Sequence, residues 1–170
     1  NLDGKDLKKI LTTQFKGSPP PGQVLAHYRG RIYIGSGEGV WYTEPISPEI
    51  VHMGSGYIPL PAQPTIIQPV SDGFFCATSQ ETFFFAGADP SKFQEFARAK
   101  VADFGAIPGT GAPVDAGLIG DGAISGGAAL WTSSRGVCLG LPGGQIQTLT
   151  KGRFTFPVGQ VGAAYVRHLR

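Results

Sequence analysis

The sequence carries little charge. Asp, Glu, Lys and Arg together make up 15% of its 170 residues, and the formal net charge is +2. A nucleic-acid binder that works mainly by phosphate attraction needs a larger, clustered positive charge, so that class is excluded as the default reading. Cysteine is scarce as well. Cys76 and Cys138 are too few and too far apart for a disulfide framework or a paired-cysteine metal site, and buried free thiols are expected. No apolar run reaches the roughly 18 residues that a membrane-spanning helix requires. His27, His52 and His168 are scattered, with no His-Glu-x-x-His pattern and no acidic cluster beside them, so no zinc site is expected. No Gly-x-Ser-x-Gly elbow is present either. No catalytic, cofactor-binding or metal-ligating residue is assigned, and no small-molecule substrate is evident.

What the chain has is glycine, proline and aromatic residues. The 26 glycines and 14 prolines amount to about a quarter of the chain, a share that borders on low complexity. Apolar residues at 41% and aromatics at 11% argue the other way, because a chain with 11 phenylalanines has the means to bury a core. Asn1 to Gln23 carries four lysines and reads as an extended arm or strand, with Ile10 to Phe15 its β-branched part. A short helix over Asp6 to Phe15 is the other reading. Gly17-Ser-Pro-Pro-Pro-Gly22 is a stiff connector, since three prolines fix φ and remove three donors. The first residue is Asn and the last stretch, Tyr165 to Arg170, stops in mid-strand; a processed chain or a fragment is the expectation.

From residue 24 onward, short apolar segments alternate with Gly, Pro, Ser and Asp turns. Three stretches align. They are Arg31 to Thr43, Phe74 to Ala86 and Ala128 to Gly140. Each is a short apolar strand, a small turn with a serine (Ser36, Ser79, Ser133) and a second apolar strand. Val40, Phe83 and Val137 fall at matching positions, at intervals of about 43 and about 54 residues. A repeat of this length with about four short antiparallel strands is the pattern of a β-propeller blade. The reading is therefore all-β: a β-propeller, or part of one, of about three to four blades. Residues 1–23 form the arm and linker. Residues 24–170 form the repeat domain, with units at about 24–63, 64–107 and 118–160 and the start of a further unit at 161–170. A β-sandwich is the alternative that the same strand spacing permits. Phe74, Phe75, Phe83, Phe84, Phe85, Phe93, Phe96, Trp41 and Trp131 are the candidates for packing between sheets, with the Tyr33 and Tyr42 hydroxyls at an edge.

Several local patterns invite a sharper reading and fail it. Gly35-Ser-Gly-Glu-Gly39 looks like a phosphate loop, but a strand follows where a helix is required, so a hairpin turn is predicted. Gly117 to Gly127 is a glycine-rich loop, with a contact surface for a neighbouring subunit as its functional alternative. Val70-Ser-Asp-Gly-Phe-Phe75 only partly matches the Ser-x-Asp-x-Gly-x-x-Trp turns of propeller glycosidases, and Ser133-Ser-Arg-Gly136 has no Asp. Arg29, Arg31, Arg98, Arg135, Arg153, Arg167 and Arg170 are spread out, which leaves room only for weak proximity to DNA.

The order of segments carries a resemblance. Pro19-Pro-Pro-Gly22 is followed by Leu25-Ala-His-Tyr-Arg-Gly-Arg-Ile-Tyr33 and Val40-Trp-Tyr-Thr-Glu-Pro45. Thr78 to Pro90 and Gly136 to Gly152 continue it, so that it spans roughly Pro19 to Phe156. In this it is similar to phage and prophage virion proteins with propeller-type repeats. The resemblance implies a structural subunit of a virion, of the tail, neck or nozzle region, assembled in the host cytoplasm. Its partners would be other virion subunits, in a homo- or hetero-oligomer, and no active site carries over. Two other classes remain: a carbohydrate- or protein-binding propeller module, with Trp41 and Trp131 as contact residues if exposed, and a propeller-type glycoside hydrolase.

Overall fold

The computed structural model describes residues 15–92, 96–118, 126–154, 156–157 and 161–167. Among these residues the fold is all-β, with three antiparallel sheets, none of them closed. The first begins with a two-residue strand, β1 (Lys16–Gly17), and continues through β2 (Val24–Tyr28), β3 (Arg31–Gly35), β4 (Gly39–Glu44), β5 (Ser47–His52) and β6 (Tyr57–Pro59). Its order is β1-β5-β4-β3-β2. β5 and β6 pair with successive parts of β4, so they form one outer strand interrupted between His52 and Tyr57. The second sheet is a four-stranded meander of β7 (Ile66–Pro69), β8 (Gly73–Ala77), β9 (Thr82–Ala86) and β10 (Ala97–Ala102). The third repeats it with β11 (Ala112–Asp115), β12 (Gly127–Ser133), β13 (Gly136–Leu141) and β14 (Gln145–Thr148).

The phenylalanine runs are explained by the middle position of the second sheet. Successive residues of a strand point to opposite faces. Ile67, Phe74, Cys76, Phe83 and Phe85 face the first sheet, where they meet Tyr28, Tyr33, Val40 and Tyr42. Ile66, Phe75, Ala77 and Phe84 face the third, against Ala129, Trp131 and Cys138. A strand buried on both faces has no polar alternation, which is why Gly73–Ala77 is buried throughout. Tyr33 and Phe74 pack at 4.7 Å between ring centroids, and Phe75 and Trp131 at 5.3 Å. β2, β7 and β11 lie together, with β7 beside both β2 and β11.

Polar contacts lock the same interfaces. Arg31, buried in the first sheet, donates to Thr43 O at 2.7 Å and to Asp89 beyond β9 at 2.9 Å. Arg98 of β10 donates to Pro59 O at 2.8 Å and lies over the Phe83 ring. On the other side, Ala106 N donates to Thr78 O and Ile107 N to Thr132 O, so the β10–β11 connection stitches the second sheet to the third.

Four details differ from the sequence reading. First, the serine match in the second unit is off by one residue. Ser36 N bonds Gly39 O and Thr78 N bonds Glu81 O, and Ser133 pairs with Gly136, so Thr78, not Ser79, is the equivalent. Thr82 then replaces Phe83 as the counterpart of Val40 and Val137. A slip of one residue sends a side chain to the opposite face; Phe83 accordingly points back to the first sheet. Second, the third sheet takes its first strand from Ala112–Asp115, ahead of residue 118. Third, residues 161–167 enter no sheet. Gly162 N bonds Pro108 O, and Val166 packs on the outer face of the third sheet beside Leu139 and Leu141. Fourth, Tyr33 is wholly buried between sheets and not at an edge, while the Tyr42 hydroxyl donates to Ser55 O. The strand or helix expected over residues 6–14, Phe93, and residues 119–125 of the glycine-rich run lie outside the described residues.

Candidate functional site

An apolar groove lies where β2, β7 and β11 begin. Gln23 and Val24 open β2, Pro64 and Thr65 precede β7, and Pro108 and Gly109 precede β11; together they line a groove of about 600 Å³. Proline before a strand suits an extended chain and leaves no N–H to satisfy at a wall facing outward. The walls are held from behind. Thr65 donates its amide to Ala77 O at 2.7 Å and its hydroxyl to the same oxygen at 3.1 Å. Thr110 donates to Ile107 O at 2.7 Å and accepts from Thr132 N at 3.1 Å. Gln63 Nε2 donates to Gln23 Oε1 at 2.6 Å across the groove. Among the described residues its lining has no charged side chain, so its chemistry is that of a neutral, largely apolar receptor.

A second, open cleft of about 480 Å³ lies beside it, with Ser79 common to both. It holds Glu81, Asp103, Phe104 and Arg135. Lys100 Nζ bridges the two carboxylates, at 2.7 Å to Glu81 and 2.6 Å to Asp103. Hydrogen bonds to Asp103 and Glu81 hold the Lys100 ammonium above its ordinary pKa, and Lys100 in turn holds Asp103 below the usual carboxylate range. Asp103 is thereby favoured in its ionised form, the opposite of the shift that a general acid requires. Arg135 lies over the Phe104 ring at 5.1 Å.

The other residues singled out in the sequence are dispersed. Ser36 to Glu38 form the β3–β4 hairpin turn, as predicted for Gly35 to Gly39. His27 is exposed on β2, His52 stacks on Phe15 and bonds Ser55, and His168 lies outside the described residues. Among the described residues no group of three or more His, Cys, Asp or Glu converges. Cys76 and Cys138 are free and buried. Burial pushes the Cys76 thiol up to about 12 against the opposing pull of Arg98, and burial likewise raises Cys138. Trp131 is 1% exposed and Trp41 packs on Tyr57 at 4.9 Å, so Trp131 offers no face to a sugar ring. Arg29, Arg31, Arg98 and Arg135 engage separate partners and form no common patch.

Sequence reasoning missed the groove, because its residues come from five separate segments. The one available signal was the recurrence of Gln, Pro or Gly just ahead of each first strand. No protein-family model matches the chain, and no curated protein does.

Proposed function

We propose that the three sheets are successive blades of a β-propeller, or of part of one, and that the chain is a structural subunit of a phage-like virion, of its tail, neck or nozzle region. It acts there by packing against other subunits, without catalysis. One observation carries the reading: three consecutive meanders stack face to face with β2, β7 and β11 side by side. A four-stranded sheet cannot bury both faces alone, and radial stacking of identical units supplies the missing cover while leaving short edges. The low charge, the order of segments from Pro19 to Phe156 and a groove without ionisable groups support an architectural role over a chemical one. Mass spectrometry of purified particles from the source culture tests it. A virion subunit is recovered in a fixed ratio to the capsid protein; absence from the particles overturns the assignment.

The groove favours a second reading, a propeller module that binds a neutral protein segment. Its proline and valine walls lack an aromatic platform for a sugar ring, so protein is preferred over carbohydrate.

A further inference from the structure

Among the described residues, two other than glycine hold left-handed backbone angles, Arg29 at φ 49° and Ile46 at φ 64°. They occupy the adjoining β2–β3 and β4–β5 turns, where Ile46 N donates to Gly30 O at 3.0 Å. A positive φ is an outlier for a β-branched residue. At the second central position of a turn led by proline, as after Pro45, glycine or asparagine is the residue that fits. Ile46 is also 90% exposed. The monomer gains from neither feature: strain and an apolar tip in water are both unfavourable, and strain of this kind gathers at sites of function.

The groove lies at the opposite end of the same strands. β2 runs from the groove at Val24 to the Arg29 turn, β3 returns, and β4 runs from the β3–β4 hairpin at the groove end out again to Pro45 and Ile46. An apolar knob therefore sits at one end of the molecule and an apolar receptor at the other. Their surroundings match in charge as well. Arg29, exposed, adjoins the knob; Glu38, exposed, stands in the hairpin beside the groove, where Gln23 N bonds Gly35 O and Gly35 lies against Pro64. We propose that the chain associates head to tail with further copies of itself. The Pro45–Ile46 turn of one copy sits in the groove between Val24, Pro64 and Pro108 of the next, and Arg29 faces Glu38. This contact is heterologous, so each added copy presents a new free knob or groove and the series does not stop at a pair. The proposal rests on the reading of the chain as a packing unit and names its partner as the chain itself.

Sedimentation velocity of the full chain over a concentration series provides the test, with two variants. Ile46→Asn removes the knob with a residue that tolerates the backbone angle. Gln63→Trp, at an exposed position on the groove wall, fills the receptor. The wild type should form species beyond the dimer as concentration rises. Each variant alone should associate at least about tenfold more weakly, as the loss of one buried isoleucine implies. Mixed, the two variants should form a 1:1 complex and nothing larger, because only one intact knob and one intact groove remain. In dilute solution Ile46→Asn should also melt several degrees higher than the wild type, which shows that the variant folds and that the strain is real. A wild type that stays monomeric, a variant that associates like the wild type, or a mixture without the 1:1 complex overturns the proposal. A chain recovered from particles that does not self-associate sinks this proposal alone; a self-associating chain absent from particles sinks the virion reading alone.

Discussion

Gly140 sets the distance between the second and third sheets. It lies on β13 opposite Ala129, on the face that meets Phe75 and Trp131. A Cβ at this position would stand 2.6 Å from Phe75 Cε2 and 2.7 Å from Trp131 Cζ3. Carbon atoms in contact prefer about 3.5–4.0 Å, so each ring must retreat by roughly 1 Å. Neither has room to do so: Phe75 is wholly buried, Trp131 is 1% exposed, and Phe75 is backed by Phe84 at 4.9 Å. Overpacking of this kind costs about 1–3 kcal/mol, and two blocked rings place Gly140→Ala near the upper end. For a chain of this size that is a fall in Tm of about 4–12 °C. Thermal melts followed by circular dichroism give the number. The cause is isolated by a double-mutant cycle with Phe75→Leu, which opens space on the facing sheet. The pair should be at least about 1 kcal/mol less destabilised than the sum of the single changes. A Gly140→Ala protein as stable as the wild type, or a cycle without coupling, would refute the close approach of these two sheets.

Other consequences follow from the same interfaces. Phe74 touches Tyr28, Tyr33, Phe85 and Phe96, so Phe74→Ala should lose about 3–5 kcal/mol in denaturant titration, and a loss below about 1 kcal/mol would mean the first two sheets are not packed there. Partial burial alone would raise the Asp89 carboxyl, but hydrogen bonds from Ser91 and the Arg31 guanidinium outweigh it and hold the group below the usual carboxylate range. A depressed carboxyl contributes stability above its unfolded pKa of about 3.9 and loses it as pH falls through the folded value. Asp89→Asn should therefore be destabilised by about 1.5–3 kcal/mol at pH 7, with the difference shrinking as pH falls below about 3.9; a constant difference across pH would contradict the clasp. Cys76, with its thiol held high by burial, should resist thiol reagents in the folded protein and react fully in denaturant, and fast labelling of the native state would place it at the surface.

Much of this architecture was legible in the sequence because its signals are local. The turn residues around Arg29-Gly30, Ser36 to Glu38 and Ser71-Asp72 bound strands close to those observed. The doubly buried second sheet was visible as Phe74-Phe75 and Phe83-Phe84-Phe85, where polar alternation fails. The exact register of that unit was not, because Thr78 and Ser79 are both small hydroxyl residues. The hydrogen bonds from Thr78 N to Glu81 O, and from Gln80 N and Glu81 N to Thr78 Oγ1, decide which of them caps the turn. The outer strand of the first sheet was hidden for a different reason: its pairing breaks between His52 and Tyr57. The candidate site was least accessible of all. Val24, Pro64 and Pro108 are far apart in sequence and meet only through sheet stacking, and the left-handed angle at Ile46 leaves no trace in residue type.

The central claim is that the second sheet is sandwiched between the other two. Aromatic NOE spectroscopy of the intact chain in solution tests it most directly. The account predicts cross-peaks linking the Phe74 ring to Tyr33 and, in the same sample, the Phe75 ring to Trp131, at centroid separations of 4.7 and 5.3 Å. Cross-peaks confined to residues within each sheet, with neither inter-sheet pair present, would contradict it.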